Sequence, residues 1–488
     1  MTTTPTTVDL APGLTIPRVL TGLWQIADLE RGGGPVDPVA TARAMEPYVE
    51  RGFTAFDLAD HYGSAEVVVG TFRTTSPLAD RARFFTKWVP EPGPLSRPQV
   101  EAAVRRSLDR MRTERLDLLQ FHAWHYPDPS WLDALGWLDE LRREGLIGAL
   151  GVTNFDTAHL RIAVASGIPL VSNQVSFSLL DRRARTRLAP WCLEQGVGIL
   201  AYGTVAGGWL SHRWLGRPEP DWEREGTWSE MKYGRFIRAI GGWDALQAVL
   251  GAAHGIATRH GVSLTNVATR YVLDQPGVAA VIVGARLGRS EHVADNGRLF
   301  EFRLDDRDRA ELDRVLDQLT PVPGDTGDEY RKPPFLTASG DLSHHLAGFP
   351  PPYPTRPGPD GRTRCLSGTS WETLAGFSRA VRSGNRILVS GTTATHGGRL
   401  IGGTDPAAQA HAVIDKIEGA ILSLGGRLAD VVRTRVYVRR IEDWEPVARA
   451  HGERFAGIQP ANTLVRADLV GDEYLVEIEA EAEVASGD

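Results

Sequence analysis

Apolar runs typical of buried strands alternate with helix-like segments through the first two thirds of the 488-residue chain. The candidate strands read "RVLTGLW", "FTAFDLA", "RFFTKW", "LDLLQFH", "GALGVTNF", "LVSNQVSF", "VGILAYG" and "VAAVIVGA". Segments such as "RPQVEAAVRRSLDRMR" carry apolar residues at three- and four-residue spacing, which indicates amphipathic helices. Continuous apolar strands that alternate with helices predict a parallel sheet covered by helices. About eight such units indicate a (β/α)8 TIM barrel of the α/β class.

A doubly wound sheet is the alternative architecture for strands that alternate with helices. Such a sheet usually has fewer strands, and a dinucleotide-binding one carries Gly-x-Gly-x-x-Gly after its first strand. The first turn here reads "TGLWQIADLERGGG" and lacks that pattern. The barrel is therefore the favoured fold.

The composition changes where the barrel pattern ends. "PVPGDTGDEYRKPPF" and "GFPPPYPTRPGPDG" are rich in Pro and Gly and read as an extended tail and linker. Beyond them, strand-like segments are interrupted by two helices, a pattern typical of a small α+β domain. We predict a barrel over residues 1–320, a tail and linker over 321–361, and a second domain over 362–488.

Charge and cysteine content exclude several classes of protein. The net charge of −7 does not favour nucleic acid or an anionic membrane as partner. No apolar run has the length of a membrane span, and the start lacks the features of a secretory signal. Cys192 and Cys365 are far apart in sequence, which argues against a disulfide framework or a cysteine metal site. We expect a cytoplasmic protein without a metal.

Four polar residues follow the ends of successive candidate strands. Asp57 ends the second strand, Lys87 the third and His122 the fourth, while Tyr62 follows in the second loop. The carboxyl ends of barrel strands share one rim, so these side chains should converge there. An ammonium lowers the pKa of a nearby phenol, and an imidazole can donate a hydrogen bond to a developing oxyanion. Together the four residues could protonate a carbonyl oxygen while its carbon is attacked.

Each of these residues also has a purely structural interpretation. An Asp–Lys pair is more often structural than catalytic, and a loop tyrosine or a buried histidine often only packs. The occurrence of all four at successive strand ends favours the catalytic interpretation.

The residues around these four positions resemble a known family. "FDLADHYG" with Glu66, "TKW", "QFHAW" and "GVTNF" are similar to the aldo-keto reductases, and the similarity runs over residues 14–319. The resemblance implies that Tyr62 is a general acid, with the other three residues as its partners. It also implies NADPH, or less often NADH, bound without the glycine fingerprint.

The resemblance further implies a set of cofactor contacts. Thr153, Asn154 and Gln174 take the positions that hold the nicotinamide carboxamide, and Tyr202 the position that stacks on its ring. The full implied set is Gly22, Leu23, Trp24, Thr153, Asn154, Gln174, Tyr202, Gly203, Arg286, Arg289 and Asn296.

The segment "GARLGRSEHVADN" resembles the part of the family that binds the 2′-phosphate and adenine. Arg286 stands where a phosphate-binding cation is expected, and Asn296 where adenine is contacted. Leu287 and His292 depart from the common hydroxyl and arginine, and Arg289 could compensate. Cationic donors suit a phosphate, so NADPH is favoured, although both arginines could also belong to a solvated helix start.

Tryptophans are expected around the substrate. Trp24, Trp88 and Trp124 would line an apolar, aromatic pocket for a small carbonyl or imine compound, although Trp88 could instead only pack. The long connection after "VGILAYG" would form a lid or a surface excursion. It contains Trp209, Trp214, Trp222 and Trp228.

The second domain resembles the RidA/YjgF family over residues 370–484. The similarity lies in "VRSGNRILVSGTTA", "AQAHAVIDKIEGAILSLGGRLADVVRTRVYVRRIEDW", "RFAGIQPANTLVRADL" and "YLVEIEAEAEV". The resemblance implies a chorismate-mutase-like fold, a homotrimer with ligand sites between subunits, and hydrolysis of enamines or imines in active members.

The site implied for this domain consists of Phe377, Asn462 and Glu477. Glu477 matches the family, but Asn462 replaces a carboxylate-binding arginine and Phe377 lacks a hydroxyl. A trimerising or ligand-binding module is favoured over a hydrolase for substrates without a carboxylate.

The sequence as a whole predicts an NADPH-dependent reductase of an aldehyde or ketone with an appended RidA-like domain. An imine-reducing or imine-processing bifunctional enzyme is a second interpretation. A redox-sensing regulatory subunit with little turnover is a third.

Overall fold

The computed structural model describes residues 4–26, 36–288, 292–337 and 349–485. A short antiparallel hairpin, β1 Thr7–Ala11 and β2 Leu14–Pro17, precedes a closed parallel barrel. The barrel strands are β3 Val19–Gly22, β4 Ala55–Asp57, β5 Arg83–Trp88, β6 Leu116–His122, β7 Ile147–Thr153, β8 Leu170–Ser176, β9 Gly198–Tyr202 and β10 Val278–Gly284. They pair in chain order, and β10 closes on β3, so the predicted TIM barrel is confirmed.

Helices surround this barrel. They are α1 Pro38–Arg43, α2 Glu46–Glu50, α3 Ala65–Thr75, α4 Arg97–Met111, α5 Ser130–Arg143, α6 Thr157–Ala165, α7 Arg183–Thr186, α8 Leu188–Gln195, α9 Trp222–Glu225, α10 Trp228–Ala239, α11 Trp243–His260, α12 Leu264–Leu273, α13 Val293–Arg298, α14 Asp306–Leu316 and α15 Asp328–Arg331. The amphipathic segment read from the sequence is α4, which Ser96 and Gln99 start with a capping box.

Apolar side chains fill the interior of the barrel at the end opposite the carboxyl ends of its strands. Leu10, Leu14 and Ile16 of the hairpin pack with the inward-facing Leu20 and Phe85 in one cluster. This closed end leaves the rim at the carboxyl ends of the strands as the place for a site.

The second domain is an α+β unit, as predicted. Its strands are β11 Thr355–Pro357, β12 Thr363–Cys365, β13 Ala380–Ser383, β14 Arg386–Thr393, β15 Thr395–His396, β16 Arg399–Leu400, β17 Val431–Val438, β18 Ala461–Arg466 and β19 Val476–Glu483. Seven of them form one sheet in the order β11-β12-β13-β14-β19-β17-β18, and β15 pairs with β16. The helices are α16 Ser370–Ala375, α17 Pro406–Ser423 and α18 Trp444–Phe455. β11 lies within the segment predicted as linker.

Helix α17 packs against both the second sheet and helix α6 of the barrel. Most of its side chains are buried, because it is covered on two sides. His159 of α6 lies between two carboxylates, 2.6 Å from Asp156 and 3.1 Å from Asp415 of α17. The two domains therefore share one apolar core with charged groups enclosed in it.

No helix in the described ranges combines the length and apolar character that crossing a bilayer requires.

Candidate active site

The structure places the four predicted catalytic residues on one rim, three at strand ends and Tyr62 in the loop after β4. Lys87 donates from Nζ to Asp57 Oδ1 at 3.0 Å, to Asp57 Oδ2 at 2.8 Å and to the Leu58 carbonyl at 2.8 Å. Both side chains of this ion pair are almost fully buried. Burial lowers the pKa of Lys87, and the Asp57 carboxylate opposes that shift. The buried pair holds the ammonium in place against the cost of its desolvation.

Tyr62 lies directly against this ion pair. The Lys87 ammonium is 4.8 Å from the centroid of the Tyr62 ring. Trp24 packs edge-on to the same ring at 4.9 Å, and His61 does so at 4.8 Å. A cation close to a phenol stabilises the phenolate, which is the electrostatic requirement for a tyrosine that gives up a proton near neutral pH.

His122 ends β6 at the same rim and is buried. Neither of its ring nitrogens has a hydrogen-bond partner among the residues that the structure describes. Burial lowers its pKa well below the ordinary 6.5, the positive charge of Arg331 adds to that effect, and a weak contact with the Thr153 backbone, which falls short of a hydrogen bond, opposes it. A neutral imidazole is thus available to donate one hydrogen bond to a ligand oxygen.

Two glutamines connect this group to the predicted cofactor side. Gln174 donates from Nε2 to Asp57 Oδ1 at 2.6 Å and to Gln120 Oε1 at 3.0 Å. Gln120 also donates to Asp57 Oδ1 at 3.3 Å. Sequence reasoning missed Gln120, although its position two residues before His122 places both side chains on the inner face of β6.

The residues predicted around the nicotinamide meet at the ends of neighbouring strands. Tyr202 donates from its hydroxyl to Asn154 Oδ1 at 2.8 Å, and Thr153 donates to the Gln174 carbonyl at 3.0 Å. Gly203 has φ +73°, and a Cβ there would lie 2.1 Å from the Tyr233 hydroxyl. The side-chain amides of Asn154 and Gln174 have donors and acceptors that match those of a carboxamide, and the flat ring of Tyr202 matches the face of a nicotinamide ring. These residues therefore fit a nicotinamide.

The first barrel strand completes this side of the rim. Gly22 ends β3, where a Cβ would lie 2.9 Å from Ile282, and Leu23 is buried directly after it. The buried Oε1 atom of Gln25 has no hydrogen-bond partner within the described ranges. A buried acceptor without a donor is costly, so a ligand that offers one would be stabilised there.

The predicted adenine and phosphate contacts are described only in part. Arg286 is exposed and Leu287 is buried, both beyond β10. Asn296 lies in α13 with its side chain partly covered. Arg289 lies outside the described residues.

The three predicted pocket tryptophans have different surroundings. Trp24 contacts Tyr62 and donates to Ser229 at 3.2 Å, and Trp124 meets the ring of His122 edge-on at 4.4 Å. Trp88 is buried against Phe121 at 5.5 Å. Trp24 and Trp124 therefore lie beside the catalytic candidates, whereas Trp88 packs in the core.

The long connection after β9 folds back as short helices and α10. Trp209, Trp214 and Trp222 are buried, and Trp209 packs on Trp214 at 4.5 Å. The first part of α10 reaches the rim, where Trp228 lies 6.4 Å from Trp24. Most of the tryptophans in this segment thus stabilise it rather than line a pocket.

Residues 325–337, part of the segment predicted as an extended tail, lie across the rim instead. Arg183 forms a 2.8 Å ion pair with Glu329, and Arg331 donates from Nη1 to the Asn154 carbonyl at 2.7 Å.

Tyr330 meets His122 edge-on at 5.5 Å, and its hydroxyl is 2.7 Å from Lys232 Nζ. Sequence reasoning missed these residues because proline content dominated the interpretation of that segment.

The three residues predicted for the second domain are not all together in one chain. Arg379 lies 5.6 Å from the Phe377 ring, and its charge acts on Glu477. Burial raises the pKa of Glu477, and Arg379 opposes the shift. Asn462 is on β18, where it donates to Thr434 at 2.9 Å, so β17 separates it from Glu477 on β19.

Comparisons with known proteins divide the chain in the same two parts. The profile of the aldo/keto reductase family matches residues 18–317, and the profile described as endoribonuclease L-PSP matches residues 368–484. Aldo-keto reductase YhdN of Bacillus subtilis is 25% identical over 66% of this chain and 96% of its own length.

Three further comparisons support this division. Protein tas of Escherichia coli is 30% identical over 52% of this chain and 83% of its own length. The uncharacterized protein SCO2049 of Streptomyces coelicolor is 39% identical over 24% of this chain and 90% of its own length. The glycerol dehydrogenase AKR11B4 of Gluconobacter oxydans is 25% identical and superposes with a TM-score of 0.53, over 65% of this chain and 97% of its own. The chain belongs to the aldo/keto reductase family and carries a RidA/YjgF-type domain after its barrel.

Proposed function

We propose that the protein reduces an aldehyde or ketone with NADPH, and that Tyr62 is the proton donor. The observation that carries this proposal is the arrangement of the rim. The Lys87 ammonium lies 4.8 Å from the Tyr62 ring, and the buried His122 imidazole, which has no hydrogen-bond partner in the described ranges, belongs to the same rim.

The residues of the chain would act on the oxygen of the substrate. Tyr62 transfers its hydroxyl proton to that oxygen, and Lys87 stabilises the resulting phenolate. His122 donates a hydrogen bond that strengthens as the oxygen gains charge. Asp57 keeps Lys87 in position, because an isolated buried ammonium would be strongly disfavoured.

The cofactor, when bound, supplies the hydride to the carbonyl carbon. Asn154 and Gln174 would hold its carboxamide, and the ring of Tyr202 would support the nicotinamide. Arg286, which is exposed beyond β10, would meet a 2′-phosphate, and this cation supports NADPH over NADH in the proposal.

Steady-state oxidation of NADPH against a panel of aldehydes, ketones and cyclic imines tests this proposal. We expect multiple turnovers with carbonyl compounds. Tight NADPH binding with almost no turnover across the panel would instead indicate a redox-sensing subunit, and preference for the imines would indicate an imine reductase.

We further propose that the second domain makes the protein a homotrimer. Helices α17 and α18 cover one face of its sheet, and residues of the strands remain half-exposed elsewhere, including Leu388, Val432 and Val465. Burying such residues between subunits would remove apolar surface from water. Glu477 and Asn462, apart in one chain, could then meet across subunits.

Light scattering of the full chain tests the oligomeric state. We expect a mass of three chains, and expect Val465→Glu to reduce it, since a carboxylate would be buried without a partner. A monomer at micromolar concentration would contradict the proposal. Leu193→Glu, the same kind of change at an exposed apolar residue of the barrel, is the control.

A further inference from the structure

A buried group of side-chain amides joins the predicted catalytic ion pair to the predicted nicotinamide site. Gln174 donates from Nε2 to Asp57 Oδ1 at 2.6 Å and to Gln120 Oε1 at 3.0 Å. Gln120 in turn donates from Nε2 to Asp57 Oδ1 at 3.3 Å. Gln120 is fully buried, and it is not one of the predicted catalytic or cofactor-binding residues.

The charge of Asp57 decides which way both amides point. A carboxylate paired with the Lys87 ammonium is ionised and can only accept hydrogen bonds. The amide atom of Gln174 that lies 2.6 Å from Asp57 must therefore be the nitrogen, and the same holds for the nearer amide atom of Gln120. The carbonyl oxygen of Gln120 then faces Gln174 and accepts its second amide hydrogen.

Both amide hydrogens of Gln174 are thus used within this group, so only its Oε1 atom is left for a ligand. That atom has no hydrogen-bond partner in the part of the chain that the structure describes. Asn154 is in the opposite state. Its Oδ1 atom accepts from the Tyr202 hydroxyl at 2.8 Å, and its Nδ2 atom has no acceptor among the described residues. The two side chains therefore offer one acceptor and one donor, a pattern that matches a carboxamide in a single orientation.

A glycine on the strand between the two glutamines leaves room for their contact. Gln120 lies on β6 and Gln174 on β8, and Gly151 of the intervening β7 pairs in register with Gln120. A Cβ at Gly151 would lie 3.3 Å from Gln120 Cγ and 2.4 Å from Ser172 Oγ. A side chain at that position would therefore press on Gln120 and disturb its contact with Gln174.

We propose that Gln120 is a positioning residue that holds the Gln174 amide as a hydrogen-bond acceptor, so that the cofactor site recognises the amino group of a carboxamide. This inference deepens the proposed function and rests on it for the identity of the ligand, a nicotinamide dinucleotide. Without Gln120, only the bond to Asp57 would hold the Gln174 amide. Its second hydrogen would become available to a ligand that offers an acceptor, and selectivity for the amino group would fall.

A side chain that only filled the barrel interior would affect the binding of every dinucleotide alike. The ratio of two dissociation constants, measured with the same variant, cancels such general losses and separates the two roles. The probes are NADP⁺ and its 3-acetylpyridine analogue, in which a methyl group replaces the amino group of the carboxamide. Binding of either probe is measured without turnover.

Calorimetric titration of the full chain with each dinucleotide tests the proposal. Wild-type protein should bind NADP⁺ at least about fivefold more tightly than the analogue, because the analogue leaves Gln174 Oε1 without a donor. Gln120→Met, which keeps a side chain of similar length and removes both polar atoms, should reduce this ratio to about twofold or less.

Two further variants complete the comparison. Gln120→Glu keeps an oxygen that can accept from Gln174 whether or not the carboxyl is ionised, so it should retain most of the selectivity that Gln120→Met loses. Gln409→Met is the matched control, because Gln409 is also fully buried and uses both ends of its amide, but in the second domain. It should leave the ratio unchanged.

Each outcome bears on the inference, on the reductase or on both. Equal binding of the two dinucleotides by the wild type would support the cofactor of the proposed reductase and overturn the inference. A ratio that Gln120→Met leaves unchanged, or that Gln120→Met and Gln120→Glu lower alike, would overturn the role of Gln120. Selective binding that depends on Gln120, without turnover of any carbonyl compound, would support the inference and refute the reductase. The absence of binding of either dinucleotide would overturn both.

Discussion

Single side chains at the rim carry the proposed chemistry, and their surroundings decide their charge states. His122 is the clearest case, because burial and then the charge of Arg331 keep its pKa well below 6.5. A histidine with a lowered pKa is neutral even at the pH where an ordinary histidine titrates, so in the proposed mechanism His122 would donate a hydrogen bond and would not be the acid. The proposed proton transfer is therefore assigned to Tyr62.

The pH profile follows from this charge state. We expect kcat/KM for a neutral aldehyde to show no step from His122 between about pH 6 and 8, because the imidazole titrates below that window. A steady-state profile checks this. A step with a midpoint near 6.5 that disappears in His122→Gln would show that the imidazole titrates normally.

At the scale of elements, the segment that contains α15 is fixed across the rim by close backbone contact. Gly327 has φ +85°, and a Cβ there would lie 2.0 Å from the Asn154 carbonyl oxygen. Neither the conformation nor the space tolerates a side chain. The glycine thus allows the segment to approach the loop after β7.

Gly327→Ala should therefore lower the unfolding free energy more than an alanine substitution at a glycine with free space around it. Gly261→Ala is the matched control, since Gly261 has φ +62° and no neighbour within 4 Å of the added Cβ. We expect the control to lose about 1–2 kcal/mol of unfolding free energy, and Gly327→Ala clearly more, with a lower kcat/KM because Asn154 is displaced. Equal losses in denaturant titrations would contradict this contact.

The elements that the sequence predicts best are those with a strong local pattern. All eight apolar runs became barrel strands, and Asp57, Lys87 and His122 came together because strand ends of a barrel must converge. The contacts of residues 325–337 could not be predicted in this way. Their positions depend on partners such as Arg183 and Asn154 that are far away in sequence and show no periodicity.

At the scale of the whole molecule, the barrel and the second domain are joined around a buried ion cluster. Burial alone would lower the pKa of His159, but Asp156 and Asp415 raise it above its ordinary value. Arg454 adds a 2.6 Å ion pair with Asp415. Sequence reasoning missed this junction, although the many apolar residues of α17, most of them buried in the structure, are a signal that could have indicated it.

Removal of the His159 charge should destabilise the protein. His159→Phe leaves Asp156 facing Asp415, and we expect a loss of about 3–5 kcal/mol in denaturant unfolding. Arg161→Met, which breaks a partly exposed pair with Asp405, should cost at most about 1 kcal/mol. Similar losses for both variants would show that the buried cluster stabilises the protein no more than a partly exposed ion pair does.

The same cluster should make stability depend on pH. Because the pKa of His159 is raised on folding, its contribution is fully present below about pH 6.5 and is lost as the pH rises through the folded value. In the His159→Phe variant, the unfolding free energy should therefore fall less as the pH rises above about 6.5 than it does in the wild type.

Substitution of Tyr62 by Phe removes one hydroxyl and keeps the ring that Trp24 and Lys87 contact. We expect Tyr62→Phe to bind NADPH nearly as well as the wild type, in a titration of tryptophan fluorescence. Carbonyl-dependent oxidation of NADPH should fall by at least about a hundredfold, because general acid catalysis is lost. Turnover equal to that of the wild type would contradict the assignment of Tyr62 as the proton donor.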